Sequence, residues 1–152
     1  MIEKERNDSS RTGEEIAERA FYVLDSYALF AYFNEEEGAD IVTDLIERTA
    51  EGVRLFLSLI NFGEVAYITE RERGTRRAVE LLEDIRRLPI TLGRVDEERV
   101  LATAHIKARY TVSYADAFAV ALADELEAPV VTGDPEFKKI ESLVTVLWLR
   151  EV

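Results

Sequence analysis

Short apolar runs alternate with longer segments of helical periodicity along most of this chain, and that alternation restricts the fold more than any other feature. The runs are Phe21-Tyr22-Val23-Leu24, Leu55 to Ile60, Ile90-Thr91-Leu92, Pro129-Val130-Val131-Thr132 and Val144 to Leu149. Their brevity and near-continuous apolarity predict strands buried on both faces. Between them, Ser26 to Phe33 can form a helix, and Ile41, Val42, Leu45, Ile46 and Thr49 repeat at helical spacing up to Gly52. Asn61 is placed to cap a helix carrying Val65, Ala66, Ile68 and Thr69 as far as Gly74. Ala78, Val79, Leu81, Leu82, Ile85 and Leu88 make a further helical face, stopped by Pro89. Asp96 caps a helix through Val100, Leu101, Ala104, His105 and Ala108, and Ser113 opens one with Phe118, Ala119, Leu122, Ala123 and Leu126 on one side. Strands alternating with helices predict an α/β fold: a mostly parallel sheet of about five strands, covered by helices on both faces.

With 152 residues, 47% of them hydrophobic, the chain can bury one core. Residues 1–19 are polar and lack apolar periodicity, which predicts a loosely ordered arm ahead of a domain over 20–152. No apolar stretch is long enough to span a membrane, and the start MIEKERNDSSRTGEE lacks the apolar core of a signal peptide. A soluble, cytoplasmic protein is therefore expected. The chain contains no cysteine and one histidine, His105, which removes thiolate metal sites, cysteine nucleophiles and histidine-based relays. Carboxylate chemistry is what remains.

Asp25 closes the first apolar run, Glu64 stands one turn into the helix after the second, Asp116 one turn into the helix opened by Ser113, and Asp134 just past the Pro129-Thr132 run. The C-terminal strand ends of an open parallel sheet form its ligand-binding edge, so three of these acids belong to that edge by position. Local explanations exist for three of them. Asn61-x-x-Glu64 and Ser113-x-x-Asp116 fit capping boxes, and Asp134-Pro135 fits an N-cap with proline at the first helical position. Capping does not explain why acids recur at one edge of one sheet. Two carboxylates about 5 Å apart repel by roughly 3 kcal/mol at an effective dielectric near 20, so such a cluster calls for a cation. Oxygen-only ligands select hard ions such as Mg²⁺ or Mn²⁺.

Val23-Leu24-Asp25-Ser26, Asn61-Phe62-Gly63-Glu64-Val65, Ser113-Tyr114-Ala115-Asp116-Ala117 and Val131-Thr132-Gly133-Asp134-Pro135-Glu136-Phe137 resemble, in order and spacing, the motifs of the PIN-domain family, and most of all those of VapC-type toxins of prokaryotic toxin-antitoxin pairs. The resemblance runs from about Phe21 to Leu149. It implies a three-layer α/β/α fold and a metal-dependent endoribonuclease, with the four family acids on Asp25, Glu64, Asp116 and Asp134 as catalytic metal ligands for Mg²⁺ or Mn²⁺. It implies products with 5′-phosphate and 3′-hydroxyl ends, a VapB-type antitoxin as partner, and a homodimer. Supporting hydroxyls fall on Ser26, Ser113 and Thr132, and a further acid of some members falls in the region of Glu136. A PIN nuclease of RNA processing, without a toxin role, shares the same residues.

The net charge of −12 opposes attraction to RNA. From Arg71 to Arg109, however, ten Lys or Arg stand against seven acids. That stretch reads either as helix faces laced with ion pairs or as a track for the RNA backbone. His105 is expected to be a packed or interface residue, Trp148 a core residue, and the aromatics Tyr22, Tyr27, Phe30, Tyr32 and Phe33 packing residues. Two other classes fit less well. A phosphorylation-controlled receiver also places acids at strand ends, but Thr132-Gly133-Asp134 stands where a late-strand lysine is needed; a catalytically silent binding module does not need four acids.

Overall fold

The computed structural model describes residues 20–152. The polar arm expected over residues 1–19 lies outside the described residues. Five parallel strands form one sheet: β1 (Phe21–Leu24), β2 (Arg54–Ser58), β3 (Ile90–Gly93), β4 (Val130–Thr132) and β5 (Val146–Trp148), in the order β3-β2-β1-β4-β5. Helices α1 (Ser26–Phe33), α2 (Ala39–Arg48), α3 (Leu59–Arg73), α4 (Thr75–Arg87), α5 (Glu97–Arg109) and α6 (Tyr114–Leu126) connect them, with 3₁₀ turns at Thr49–Glu51 and Pro135–Ile140. This is the three-layer α/β/α arrangement that strand-helix alternation requires. The order differs from the 2-1-3-4-5 sheet of receiver domains, which removes that alternative.

Successive strand residues point to opposite faces, so a continuously apolar strand serves two cores. Leu24, Leu55, Leu57 and Val131 pack with Ala28, Leu29, Leu45, Val65, Leu81 and Ile85 beneath α1 to α4. Their neighbours Val23 and Val130 pack with Ile106, Val120, Leu122, Phe137 and Ile140 on the other side, with Phe56 against the same group. Tyr22, Tyr27, Phe30, Tyr32 and Phe33 line the first core, and Trp148 borders the second.

Three expectations are corrected. The second apolar run stops being a strand at Ser58, whose hydroxyl accepts the Ile60 N–H at 3.2 Å and caps α3, so Leu59 and Ile60 are already helical. Asn61 is therefore no cap; it lies inside the first turn, fully buried. The chain is helical from Leu59 onward, so the orphan first-turn N–H groups follow directly on Ser58, whose hydroxyl reaches forward two residues to one of them, while Asn61 is already part of the helix. The last strand covers only Val146–Trp148 of the Val144 to Leu149 run. His105 is exposed rather than packed, because α5 buries only Thr103 and Ile106 and presents the rest of its surface to solvent.

Candidate functional site

Strand order reverses between β1 and β4: the chain builds outward from β1 through β2 to β3 on one side, then from β4 to β5 on the other. Connections diverge at such a point and leave a crevice above the strand ends. Asp25 follows β1 and Asp134 lies two residues beyond β4, so the topology brings both to that crevice.

Asp25 is 2% exposed. It is also the N-cap of α1, its Oδ1 accepting the Ala28 N–H at 2.9 Å, a local role that its position after an apolar run did not suggest. Burial pushes its carboxyl up to about 8; the Thr132 hydroxyl and the Ala28 N–H pull it back in part, and the charges of Asp116 and Asp134 add to the rise. Thr132 serves both acids, because its Oγ1 also accepts the Asp134 N–H at 3.0 Å. Asp134 in turn caps the following 3₁₀ turn by accepting the Glu136 N–H at 3.0 Å.

Asp116 stands in the first turn of α6, where the Ser113 Oγ accepts its N–H at 3.1 Å. Burial raises its carboxyl to about 6, opposed by the Ser113 hydroxyl and reinforced by Asp134, Glu64 and Glu136. Glu64, half-buried on α3, accepts a hydrogen bond from the Ser26 hydroxyl at Oε1. The amide of Asn61 faces the same oxygen at 3.5 Å and donates to the Ala115 carbonyl at 3.3 Å, joining α3 to the first turn of α6.

The structure thus puts Asp25 within electrostatic reach of Asp116 and Asp134, and Asp116 within reach of Asp134 and Glu64, so that Asp116 is the member that links the other three. Ser26, Ser113 and Thr132 each have a carboxylate beside them. Capping and clustering turn out to be compatible, since Asp25 and Asp134 do both. Glu136 is close enough to influence Asp116 but is ion-paired to Lys139 at 2.6 Å. None of the four acids has an ion-pair partner among the described residues.

Among the described residues, no group of three or more His, Cys, Asp or Glu side chains stands close enough together to hold a metal ion as they are placed. The donor chemistry nevertheless suits a hard divalent cation: carboxylate oxygens without a compensating charge, and the buried Asn61 Oδ1, which has no hydrogen-bond partner. Mg²⁺ keeps several of its waters, so it does not require a closed protein cage.

Asn61 is the residue that sequence reasoning misassigned. Its signal was there: an amide at i on the same helical stripe as Val65 and Thr69, where an apolar residue is expected.

Gly133 holds the crevice floor close to α1. A Cβ there would lie 2.4 Å from Tyr27 Cε1, and Arg150 both stacks over the Tyr27 ring at 5.7 Å and donates to the Gly133 carbonyl at 2.9 Å. Gly133→Ala is expected to destabilise the fold by about 1–3 kcal/mol, read as a lower urea midpoint. An unchanged midpoint would show that the ring yields freely.

Comparison with known proteins follows the same lines. The family model described as PIN domain matches residues 22–143. Among solved structures, DNA-bound VapBC from Salmonella typhimurium superposes with a TM-score of 0.67 at 22% identity, over 86% of this chain and 99% of that one. VapBC2 from Rickettsia felis, bound to a fragment of its promoter, gives 0.67 at 15% identity, over 82% and 96%. The sarcin-ricin loop cleaving toxin VapC20 from Mycobacterium tuberculosis gives 0.63 at 16% identity, over 77% and 92%. No curated protein matches the chain. With its sheet order, its fold neighbours and a match over most of its length, the chain belongs to the PIN-domain family.

Proposed function

We propose that this chain is a metal-dependent endoribonuclease of the VapC type, and that Asp25, Glu64, Asp116 and Asp134 are its catalytic acids. The observation that carries the reading is that Asp116 lies within electrostatic reach of Asp25, Glu64 and Asp134 at the switch point of the sheet, and that none of the four has an ion-pair partner among the described residues. PIN nucleases generally use divalent metal ions. Here Asp25, Asp116 and Asp134, with Glu64 directly or through water, would hold one or two Mg²⁺ or Mn²⁺ ions. Such an ion lowers the pKa of water and offsets charge on a phosphodiester.

The protein's own contribution is positioning. Ser26 and Asn61 hold the Glu64 carboxylate against α6, and Thr132 ties Asp25 to the backbone of Asp134. Ser113 does the same for Asp116. Hydrolysis at this site would leave 5′-phosphate and 3′-hydroxyl ends. No role is assigned to His105, the one histidine, which lies on α5 with Arg109 as its hydrogen-bond partner.

Purified protein should cut single-stranded RNA in Mn²⁺ and stop on addition of EDTA. Asp116→Asn should lower the rate by at least about 100-fold, because changes outside a metal's own ligands already cost about 10–100-fold. Cleavage that persists in EDTA, or an Asp116→Asn variant as active as wild type, refutes the site.

The VapBC neighbours favour the toxin role, with a VapB-type antitoxin as partner; a homodimer as the working form is what the family resemblance implies. Growth arrest on induction, relieved by an adjacent antitoxin gene, separates this from an RNA-processing nuclease. No helix among the described residues is long and apolar enough to cross a membrane.

A further inference from the structure

The basic stretch from Arg71 to Arg109 divides into two kinds of residue once it is folded. Arg76 and Arg77 pair with Glu80, Arg87 with Asp84, and Arg99 with Glu125, which accounts for those four as laced helix surface. Arg71 and Arg86 lie over the rings of Tyr67 and Phe62. Arg73 and Arg94 have no such partner among the described residues, and the last two bases, Lys107 and Arg109, bond to backbone and to His105. Lys107 donates to the Val112 carbonyl at 2.6 Å, and Arg109 donates to the His105 carbonyl at 3.1 Å and meets its Nδ1 at 2.8 Å, so neither is paired with a carboxylate among the described residues.

Lys107 and Arg109 line an open cleft of about 320 Å³ with Tyr110, Thr111 and Ser113, at the turn between α5 and α6. Its lining contains no acid, in a chain whose net charge is −12, although Arg109 and Tyr110 also border a larger cleft lined by Asp96, Glu98, Asp124 and Glu125. A third cation, Lys139, reaches the Thr111 carbonyl at 3.1 Å from the 3₁₀ turn behind Asp134, though it is shared with Glu136. The cleft also adjoins the carboxylates: Ser113 at its edge is the cap of the helix that carries Asp116.

We propose that this cleft is an RNA subsite, in which Arg109 takes a backbone phosphate of the strand flanking the scissile bond. An acidic protein needs local positive charge to hold a polyanion across a carboxylate pocket, and this is cationic surface placed next to that pocket. Tyr110, half-buried at the turn, offers a ring face for the adjoining nucleotide. The inference rests on the ribonuclease reading for its choice of ligand.

Arg109 makes the decisive test, because its bonds stay within α5 and its loss leaves the loop intact, whereas Lys107 also holds the turn. Binding of wild-type protein and variants to a fluorescent single-stranded RNA is measured by anisotropy in EDTA, over a series of salt concentrations. Arg109→Glu should weaken binding by about tenfold, Arg109→Lys should stay near wild type, and the log-log salt slope should fall by about 0.7 for the lost phosphate contact. In Mn²⁺ the same variant should raise KM and leave kcat within about twofold, the pattern of a lost binding contact. Unchanged affinity and salt slope for Arg109→Glu overturn the subsite, including the case in which the cleft serves an acidic protein partner instead. Normal Arg109-dependent RNA binding without any metal-dependent cleavage would leave the subsite standing and sink the nuclease assignment.

Discussion

Asp25→Asn is expected to raise the stability of the metal-free protein at pH 8 while abolishing cleavage. The carboxyl is 2% exposed, and burial raises it from 3.8 to about 8. Ionised in the unfolded chain from about pH 4 but holding its proton in the fold up to about pH 8, it accumulates a cost to folding on the order of 5 kcal/mol by pH 8. Asparagine keeps an oxygen for the Ala28 N–H, ranks with aspartate as an N-cap and carries no charge. Thermal melting in EDTA at pH 8 should show the variant melting more than about 10 °C above wild type, and the difference should shrink towards pH 5. An ordinary structural aspartate would give the opposite result, a loss of stability. Together with loss of Mn²⁺-dependent cleavage, a gain in stability would mark Asp25 as a residue kept for function against the interest of the fold.

Stability of the metal-free wild type should fall as pH rises, and divalent metal should restore it. Both shifted groups, Asp25 and Asp116, have raised values in the fold, about 8 and about 6. Below about pH 4 they are protonated whether folded or not, and their contribution is fully present. As pH climbs through about 6 and then about 8, the unfolded chain holds fewer protons than the native one, so stability is progressively lost. A bound cation reverses this by favouring the ionised form. Mn²⁺ at about 100 times its dissociation constant should add about 2.7 kcal/mol, a rise of roughly 5–10 °C for a chain of this length. The shift should be larger at pH 8 than at pH 5, where protons compete for the ligands, and EDTA should remove it. Equal shifts at both pH values, or the same shift in Asp25→Asn, would place the bound metal somewhere other than this crevice.

Element type was largely readable from local pattern. Phe21–Leu24, Ser26–Phe33 and Ile90-Leu92 fell where periodicity put them, because a doubly buried strand and an amphipathic helix leave distinct traces within a few residues. The boundary between β2 and α3 was not readable. Ser58 and Asn61 are both good caps, and only the packed structure decides which N–H groups are left to satisfy. That His105 is not packed within the chain was hidden for a related reason: an apolar helix face says nothing of whether another element of the chain arrives to cover it.

By itself, the sequence determined that five buried strands would alternate with helices, that the chemistry would be that of carboxylates, and that acids would stand at strand ends or in first helical turns. These follow from composition and from contacts between near neighbours. Tertiary structure alone decided the order β3-β2-β1-β4-β5, which sets Asp25 beside Asp134, and the burial that lifts Asp25 and Asp116. It also turned Asn61 into a link between α3 and α6, and split one basic stretch into neutralised helix surface and an acid-free cleft. Each depends on groups tens of residues apart meeting in a low-dielectric interior, where a charge or an amide takes its properties from whatever packing has placed next to it.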